Sequence, residues 1–260
     1  MLANVSGLGS ALIKKTIFSE CIRLLYIISL KFSHHIFFQN LSDLDNFTTY
    51  KILKKHSHSL LPGSGINTSI FPINNQHLLL ERNSFIFSFI GRILIDKGIL
   101  DFIDAARNFE NNSYLKFNVF GDLDIHNPSS LNQKQLEAIS PKNIHYHGKV
   151  SNIKTALLNT DCVILPSYRE GMSRSLLEAA SIGLPIITTN VPGCREIVEH
   201  GRNGYLVNVQ DSNSICNAIE NFINLSKKEI YDMGCKGASK VRKEFDVLKV
   251  IEEYIIIINS

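Results

Sequence analysis

The feature that most constrains this chain is an alternation running from Ser84 to Val207. Short apolar runs that end on glycine or proline are separated by stretches with helical spacing of apolar residues. The pattern predicts a strand over 84–90 (SFIFSFI), stopped by Gly91, then a helix over 98–109 with Ile99, Phe102, Ile103 and Ala106 on one face. Further strands are expected over 115–120, 144–147, 162–165, 185–189 and 204–207. Between them, Ser151 is expected to cap a helix that runs through Leu158. A helix over 173–182 should stop at Gly183, with Pro185 just beyond. Asp211 should cap an amphipathic helix with Ile215, Ile219, Phe222 and Ile223 as its buried stripe, and helices over about 227–243 and 247–257 follow. Strand and helix alternating at this spacing demand a parallel sheet with helices on both faces, the doubly wound α/β class.

Residues 1–60 are different. They offer one long helix, a strand over 35–38 and a helix over about 42–53, too few strands for a sheet that stands alone. The division expected is a remnant domain over 1–60, a Rossmann-like domain over 61–245 and a last helix over 246–260. The helices of 10–53 should then show apolar faces to solvent, and the isolated chain should be poorly soluble.

Composition narrows the class. A hydrophobic fraction of 44% and a charged fraction of 20% are globular values and exclude disorder. A net charge of +3 is too mild for a nucleic-acid partner. Five cysteines, scattered and without a C-x-x-C pair, argue against a disulfide framework or a zinc site and for a reducing compartment. The most apolar runs, 24–30 and 254–259, fall far short of the roughly 20 residues that span a bilayer. With no signal-peptide pattern at the N-terminus, a cytoplasmic protein is expected. The stretch 9–32, with Lys14, Lys15, Arg23 and Lys31 among many Ile and Leu, fits either a core helix with a solvated lysine edge or a helix lying on an anionic membrane.

Ligands of open α/β sheets lie beyond the carboxyl ends of the strands, and three of those ends here are rich in polar chemistry. In the first, Gly91-Arg92-x-x-x-Asp96-Lys97-Gly98, two cations bracket a turn that opens a helix and are placed to meet a phosphate. The second carries Glu170, Gly171, Met172 and Ser173, with Glu178 in the helix that follows. Five residues of helix rise about 7.5 Å, so the two carboxylates suit different parts of one extended ligand better than a close acid–base pair. Glu178 also interrupts an apolar stretch, where a carboxylate must reach solvent or a partner. The third end, Val191-Pro-Gly193-Cys194-Arg-Glu196, is a glycine turn in which Glu196 can serve as a hydrogen-bonding anchor.

Other chemistries lack their residues. Gly7-x-Gly9 and Gly63-x-Gly65 are incomplete dinucleotide fingerprints without the following acidic residue, which disfavours a nicotinamide or flavin enzyme. His145 and His147 alternate on one short strand and suit a core or rim role better than a metal site. There is no G-x-S-x-G elbow and no Walker loop.

In this order, the segments 84–106 (SFIGRILIDKGILDFIDAA and its neighbours), 119–124 (VFGDLD), 144–150 (IHYHGKV), 161–207 and the Asp211 helix resemble the retaining glycosyltransferases of family 4, the "group 1" glycosyl transferases with the GT-B fold. Upstream, VSGLGS (5–10), FFQN (37–40) and PGSGINTSIF (62–71) resemble the end of the family's N-terminal domain and its linker. The bacterial members most resembled build surface polysaccharide or lipid-linked glycan on polyprenyl diphosphate.

The resemblance implies roles. Arg92 and Lys97 would neutralise the donor diphosphate, and Glu178 would hold the nucleotide ribose. Glu170, the candidate catalytic residue, would contact the donor sugar, while the backbone of Gly171, Met172 and Ser173 cradles sugar and phosphate. The loop reaching Val150 would hold the base. No cofactor and no metal are implied; the co-substrate would be a UDP-sugar and the acceptor polyprenyl-diphosphate-linked or a glycan, with a peripheral membrane contact. Transfer with retention would proceed through an oxocarbenium-like front-face substitution, in which the protein supplies charge stabilisation and positioning. The last helix would cross back to the N-terminal part.

A full GT-B enzyme has two such domains of about 150–200 residues each, so an N-terminally truncated transferase is expected, with the donor side intact. A non-catalytic nucleotide-sugar-binding remnant or partner subunit is the alternative. A nucleotide-sugar epimerase or hydrolase would share the donor site but lacks an evident acid–base pair beside it.

Overall fold

The computed structural model describes residues 1–7, 17–50, 52–53, 56–79, 84–124 and 126–259. Among these, two parallel sheets account for all the strands.

The larger sheet has the order β6-β5-β4-β7-β8-β9. Its strands are β4 (Phe85–Ile90), β5 (Leu115–Phe120), β6 (Ile144–Gly148), β7 (Cys162–Leu165), β8 (Ile186–Thr189) and β9 (Gly204–Val207). The order turns back between β4 and β7, which opens a crevice at their carboxyl ends. Strand β4 is buried from Phe87 to Ile90 and β7 throughout, as parallel strands covered on both faces must be. Phe87 anchors the core: it stacks on Phe117 at 5.5 Å and meets Phe222 edge-on at 5.6 Å.

Helices α3 (Ile99–Asn108), α4 (Gln133–Ile139), α5 (Ile153–Leu158), α6 (Arg174–Ile182), α7 (Ser212–Ile223) and α8 (Lys227–Glu244) surround this sheet. Their ends are set by local chemistry. Asp211 Oδ1 accepts from Ser214 N at 3.0 Å to start α7, and Gly183 ends α6 at a φ of 94°. At α5 the cap is Asn152, whose Oδ1 accepts from Lys154 N at 3.1 Å, and not Ser151 as expected. The carboxamide reaches the free N–H from one position further on. Of the expected α7 stripe, Ile215, Ile219 and Phe222 are buried, while Ile223 is half-buried and Ala218 takes its place inside.

The smaller sheet, β1-β2-β3, comprises β1 (Leu2–Val5), β2 (His35–Phe38) and β3 (Ser57–Leu60). The sequence pattern marks only its central strand. The edge strands are only four residues long (LANV and SHSL) and carry no alternation. Helix α1 (Ile17–Leu30) and helix α2 (Leu41–Thr49) cover one face, with Phe38 and Phe47 in edge contact at 5.0 Å. The α2 helix ends at Thr49, short of the expected 53. The first basic residues of the amphipathic stretch, Lys14 and Lys15, lie outside the described residues.

Helix α9 (Val247–Asn259) covers the other face, so the last helix does return to the N-terminal part. Tyr254 packs on Phe37 at 4.5 Å and accepts from Asn4 Nδ2 at 2.8 Å. Its terminal run is only partly hidden: Ile257 joins this packing, but Ile255, Ile256 and Ile258 remain exposed. The chain crosses between the two halves twice, side by side, where Ile66 N donates to Phe245 O and Val247 N donates to Ile66 O.

Candidate functional site

Three loops at the carboxyl ends of β4, β7 and β8 interlock. After β4, Gly98 adopts a φ of 77° and starts α3. It needs that freedom and that small size, because a Cβ there would lie 2.1 Å from the Pro166 carbonyl oxygen at the end of β7. The Tyr168 N–H donates to Asp96 O at 2.9 Å, fastening the second loop to the first. The third loop joins through Gly193, whose carbonyl accepts from Ser173 N at 2.9 Å and whose N–H donates to Glu196 Oε2 at 2.7 Å. Glu196 thus has the anchoring role foreseen for it.

These contacts bring two of the expected site residues together. Lys97 Nζ lies 2.5 and 2.6 Å from the two carboxylate oxygens of Glu170, and Ser167 Oγ donates to Glu170 Oε1 at 2.6 Å. The Glu170 side chain is 9% exposed, so the pair is drawn well out of water. Such a pair is held by charge-assisted hydrogen bonds, and it gives a polyanion a cation to compete for.

The remaining candidates lie around this pair with other partners. Arg92 reaches Asp124 at 3.1 Å with its side chain largely in solvent. Glu178, one turn along α6, meets Arg174 Nε at 3.0 Å. Among the described residues, no hydrogen bond or ion pair joins Arg92 or Glu178 to Lys97 or Glu170. Met172 is half-buried against the linker, where a Cβ on Gly63 would come within 2.5 Å of its Cγ. Ser173 is buried and its hydroxyl faces Ser175 Oγ at 3.4 Å instead of capping α6. Val150 is half-buried against the large core just after β6. Because Ser173 N–H already serves Gly193 O, the backbone cradle expected from Gly171 to Ser173 has one donor fewer than the sequence suggests.

The electrostatics of the crevice follow burial. The Cys194 thiol, enclosed beside Glu170, is pushed up to about 12 by burial and by that carboxylate, which makes it inert as a nucleophile. Burial and the facing Asp101 lift the Tyr168 phenol to about 12, and burial raises the Asp101 carboxyl in turn. His147 stacks on Phe120 at 4.5 Å and meets Asn118 Oδ1 at 2.9 Å, with burial and His145 lowering its pKa, as a rim residue would. Among the described residues no cluster of three His, Cys, Asp or Glu could hold a metal ion.

Several residues were not foreseen. Asp43 and Asn40, at the start of α2, contact Arg169 and Gly171 across the gap between the sheets. The spacing Asn40-x-x-Asp43 signals only a helix cap; nothing local in the sequence says that its partner lies more than a hundred residues away. Beside them opens a cavity of about 590 Å³ whose walls include Gln39, Asn40, Leu60, Met172, Glu196 and Phe245.

Comparison with known proteins decides the kinship. Residues 71–234 match the family described as Glycosyl transferases group 1. The chain belongs to that family. It is 30% identical over 184 residues to the UDP-Gal:alpha-D-GlcNAc-diphosphoundecaprenol alpha-1,3-galactosyltransferase of Escherichia coli, covering 70% of this chain and 47% of that protein. It is 27% identical over 267 residues to the N,N'-diacetylbacillosaminyl-diphospho-undecaprenol alpha-1,3-N-acetylgalactosaminyltransferase of Campylobacter jejuni, covering 97% of this chain and 68% of that protein. The chain therefore spans about half to two thirds of the length of these relatives.

Among solved structures, sucrose-phosphate synthase from Thermosynechococcus elongatus superposes with a TM-score of 0.82 at 18% identity, covering 99% of this chain and 68% of that one. Anabaena Alr3699/HepE in complex with UDP-glucose gives 0.80 at 16%, covering 99% and 71%. These likenesses establish the GT-B fold for the group 1 chain, with two α/β halves facing each other through the carboxyl ends of their strands.

Proposed function

We propose that this chain works as a retaining glycosyltransferase, or as the donor-binding part of one. It would move a hexose or N-acetylhexosamine from a UDP-sugar to a lipid-linked or polysaccharide acceptor. The observation that carries the proposal is the Lys97–Glu170 pair at the facing tips of β4 and β7, within the family's matched region. The names of the Escherichia coli and Campylobacter jejuni relatives, both acting on undecaprenyl-diphosphate-linked glycans, support the acceptor class.

In this reading the donor diphosphate draws Lys97 away from Glu170, and Arg92 swings from its exposed contact with Asp124 to join it. Two cations then stabilise the leaving group as its charge develops. Glu170, released from Lys97, accepts hydrogen bonds from the sugar hydroxyls, and Glu178 takes the ribose after parting from Arg174. The exposed apolar side of α1, with Leu24, Leu25 and Ile28, is suited to a peripheral contact with the membrane that carries a lipid-linked acceptor. No described helix is long and apolar enough to cross one.

The test is to supply the protein with UDP-sugars and a short undecaprenyl-diphosphate-linked acceptor, and to read the product's anomeric configuration by proton NMR. Product of the donor's own α configuration is expected. Donor binding with no product over many hours would favour a nucleotide-sugar-binding module without catalysis.

A further inference from the structure

Arg169 and Glu170 are neighbours in sequence, yet the two halves of the molecule hold one each. Glu170 turns toward the large sheet and bonds Lys97 and Ser167. Arg169 turns the other way and donates from Nη2 to Asp43 Oδ1, on the first turn of α2. The Asp43 side chain is fully shut off from water. Asn40 completes its surroundings: Oδ1 accepts from Asp43 N at 2.8 Å, and Nδ2 is within reach of both Asp43 Oδ2 at 3.0 Å and Gly171 O at 2.9 Å. On the far side of the same loop, a Cβ on Gly171 would sit 1.7 Å from the Ser6 carbonyl oxygen, so the backbone after β1 rests directly on it.

A buried carboxylate is tolerated only when its charge and lone pairs are met. Buried ion pairs contribute little stability compared with apolar packing of the same volume; what they can fix is a geometry. Here the geometry is the path of the 169–171 peptide.

We propose that Asp43 and Arg169 are positioning residues for Glu170. They clamp its backbone to the N-terminal sheet so that its carboxylate stands opposite Lys97. The seating of the small sheet and occupancy of the Lys97–Glu170 site are then linked, each strengthening the other by the same factor. The linkage half of this proposal rests on the donor-binding function above; the positioning half does not.

Hydrogen exchange on the full chain tests both, using Asp43→Asn and Arg169→Lys. The first keeps the shape and removes the charge. The second keeps the charge and removes the planar fork. Without ligand, the amides of Glu170 and Ser173 should exchange about tenfold faster in each variant, within the usual range of coupling between sites. The amides of Phe117 and Val119, deep in β5, should stay unchanged. UDP should bind about tenfold more weakly to both variants, and should slow exchange at Asp43 and Leu44 in the unmodified protein only. Unchanged Glu170 and Ser173 amides, or an acceleration shared equally by Phe117 and Val119, would overturn the positioning role. If UDP fails to bind the unmodified protein, the donor-binding function is lost, and the ligand-free exchange still decides the positioning role.

Discussion

Gly98 stands so close to Pro166 that a single added carbon would lie 2.1 Å from the proline carbonyl oxygen. This contact presses the turn carrying Lys97 onto the loop carrying Glu170, and Gly98 has no alternative residue that fits both the space and the φ of 77°. Gly98→Ala is expected to destabilise the fold by at least about 2 kcal/mol, from left-handed strain plus the clash with backbone that cannot step aside. Thermal melting followed by circular dichroism checks this; an unchanged midpoint would show that the loops do not need the contact.

Tyr168 supplies a pH signature for the same junction. Its phenol is raised in the folded protein from 10.0 to about 12 by burial and by the facing Asp101 carboxylate. A raised pKa means that the folded state holds the proton longer than the unfolded chain. The associated stability is present in full below pH 10 and is lost as pH climbs from about 10 toward 12. Ultraviolet titration of phenolate should show a late-titrating tyrosine near pH 12 that vanishes in Tyr168→Phe. The variant should also unfold with a weaker dependence on pH in that window.

Helix α1 shows solvent Leu24, Leu25 and Ile28 at 58%, 63% and 55% exposure, which together make an apolar stripe larger than an isolated surface leucine. The double substitution Leu25→Glu with Ile28→Lys should therefore raise the soluble, monodisperse fraction while leaving the melting midpoint within a degree or two. Light scattering after size-exclusion chromatography reads the outcome. A fall in stability would mean that the stripe packs against something within the chain.

Much of this structure was legible from residue patterns. The strands over 115–120 and 162–165 fall where the apolar runs and their glycine or proline stops place them. They do so because buried parallel strands need continuous apolar residues and abrupt ends. The flanking strands Leu2–Val5 and Ser57–Leu60 were not legible, since each is four residues long, mostly exposed or half-buried, and so needs no continuous apolar run. Helix α4 was missed for a related reason: of its residues only Leu136 is buried, and its start depends on the capping box of Asn132 with Gln135.

For the site, sequence reasoning named Arg92, Lys97, Glu170 and Glu178 because loops at strand ends are where ligands bind. It could not say that Lys97 and Glu170 hold each other while Arg92 and Glu178 take other partners. Such pairing depends on rotamers and on the meeting of loops far apart in sequence. Asp43 and Arg169, separated by 126 positions, are the extreme case.

The central claim is that the tips of β4 and β7, with the start of α6, form a nucleotide-sugar donor site. Calorimetric titration of UDP into the unmodified protein, Arg92→Ala and Glu178→Ala tests it most directly. The Arg92 side chain stands largely in solvent whereas that of Glu178 is 13% exposed, so thermal melting of each variant first checks that the fold survives. Loss of one charge-assisted contact is worth about 1.5–3 kcal/mol, and weakening by at least about tenfold is therefore predicted for each variant. Equal affinity in all three proteins, or no binding by any, would contradict the assignment.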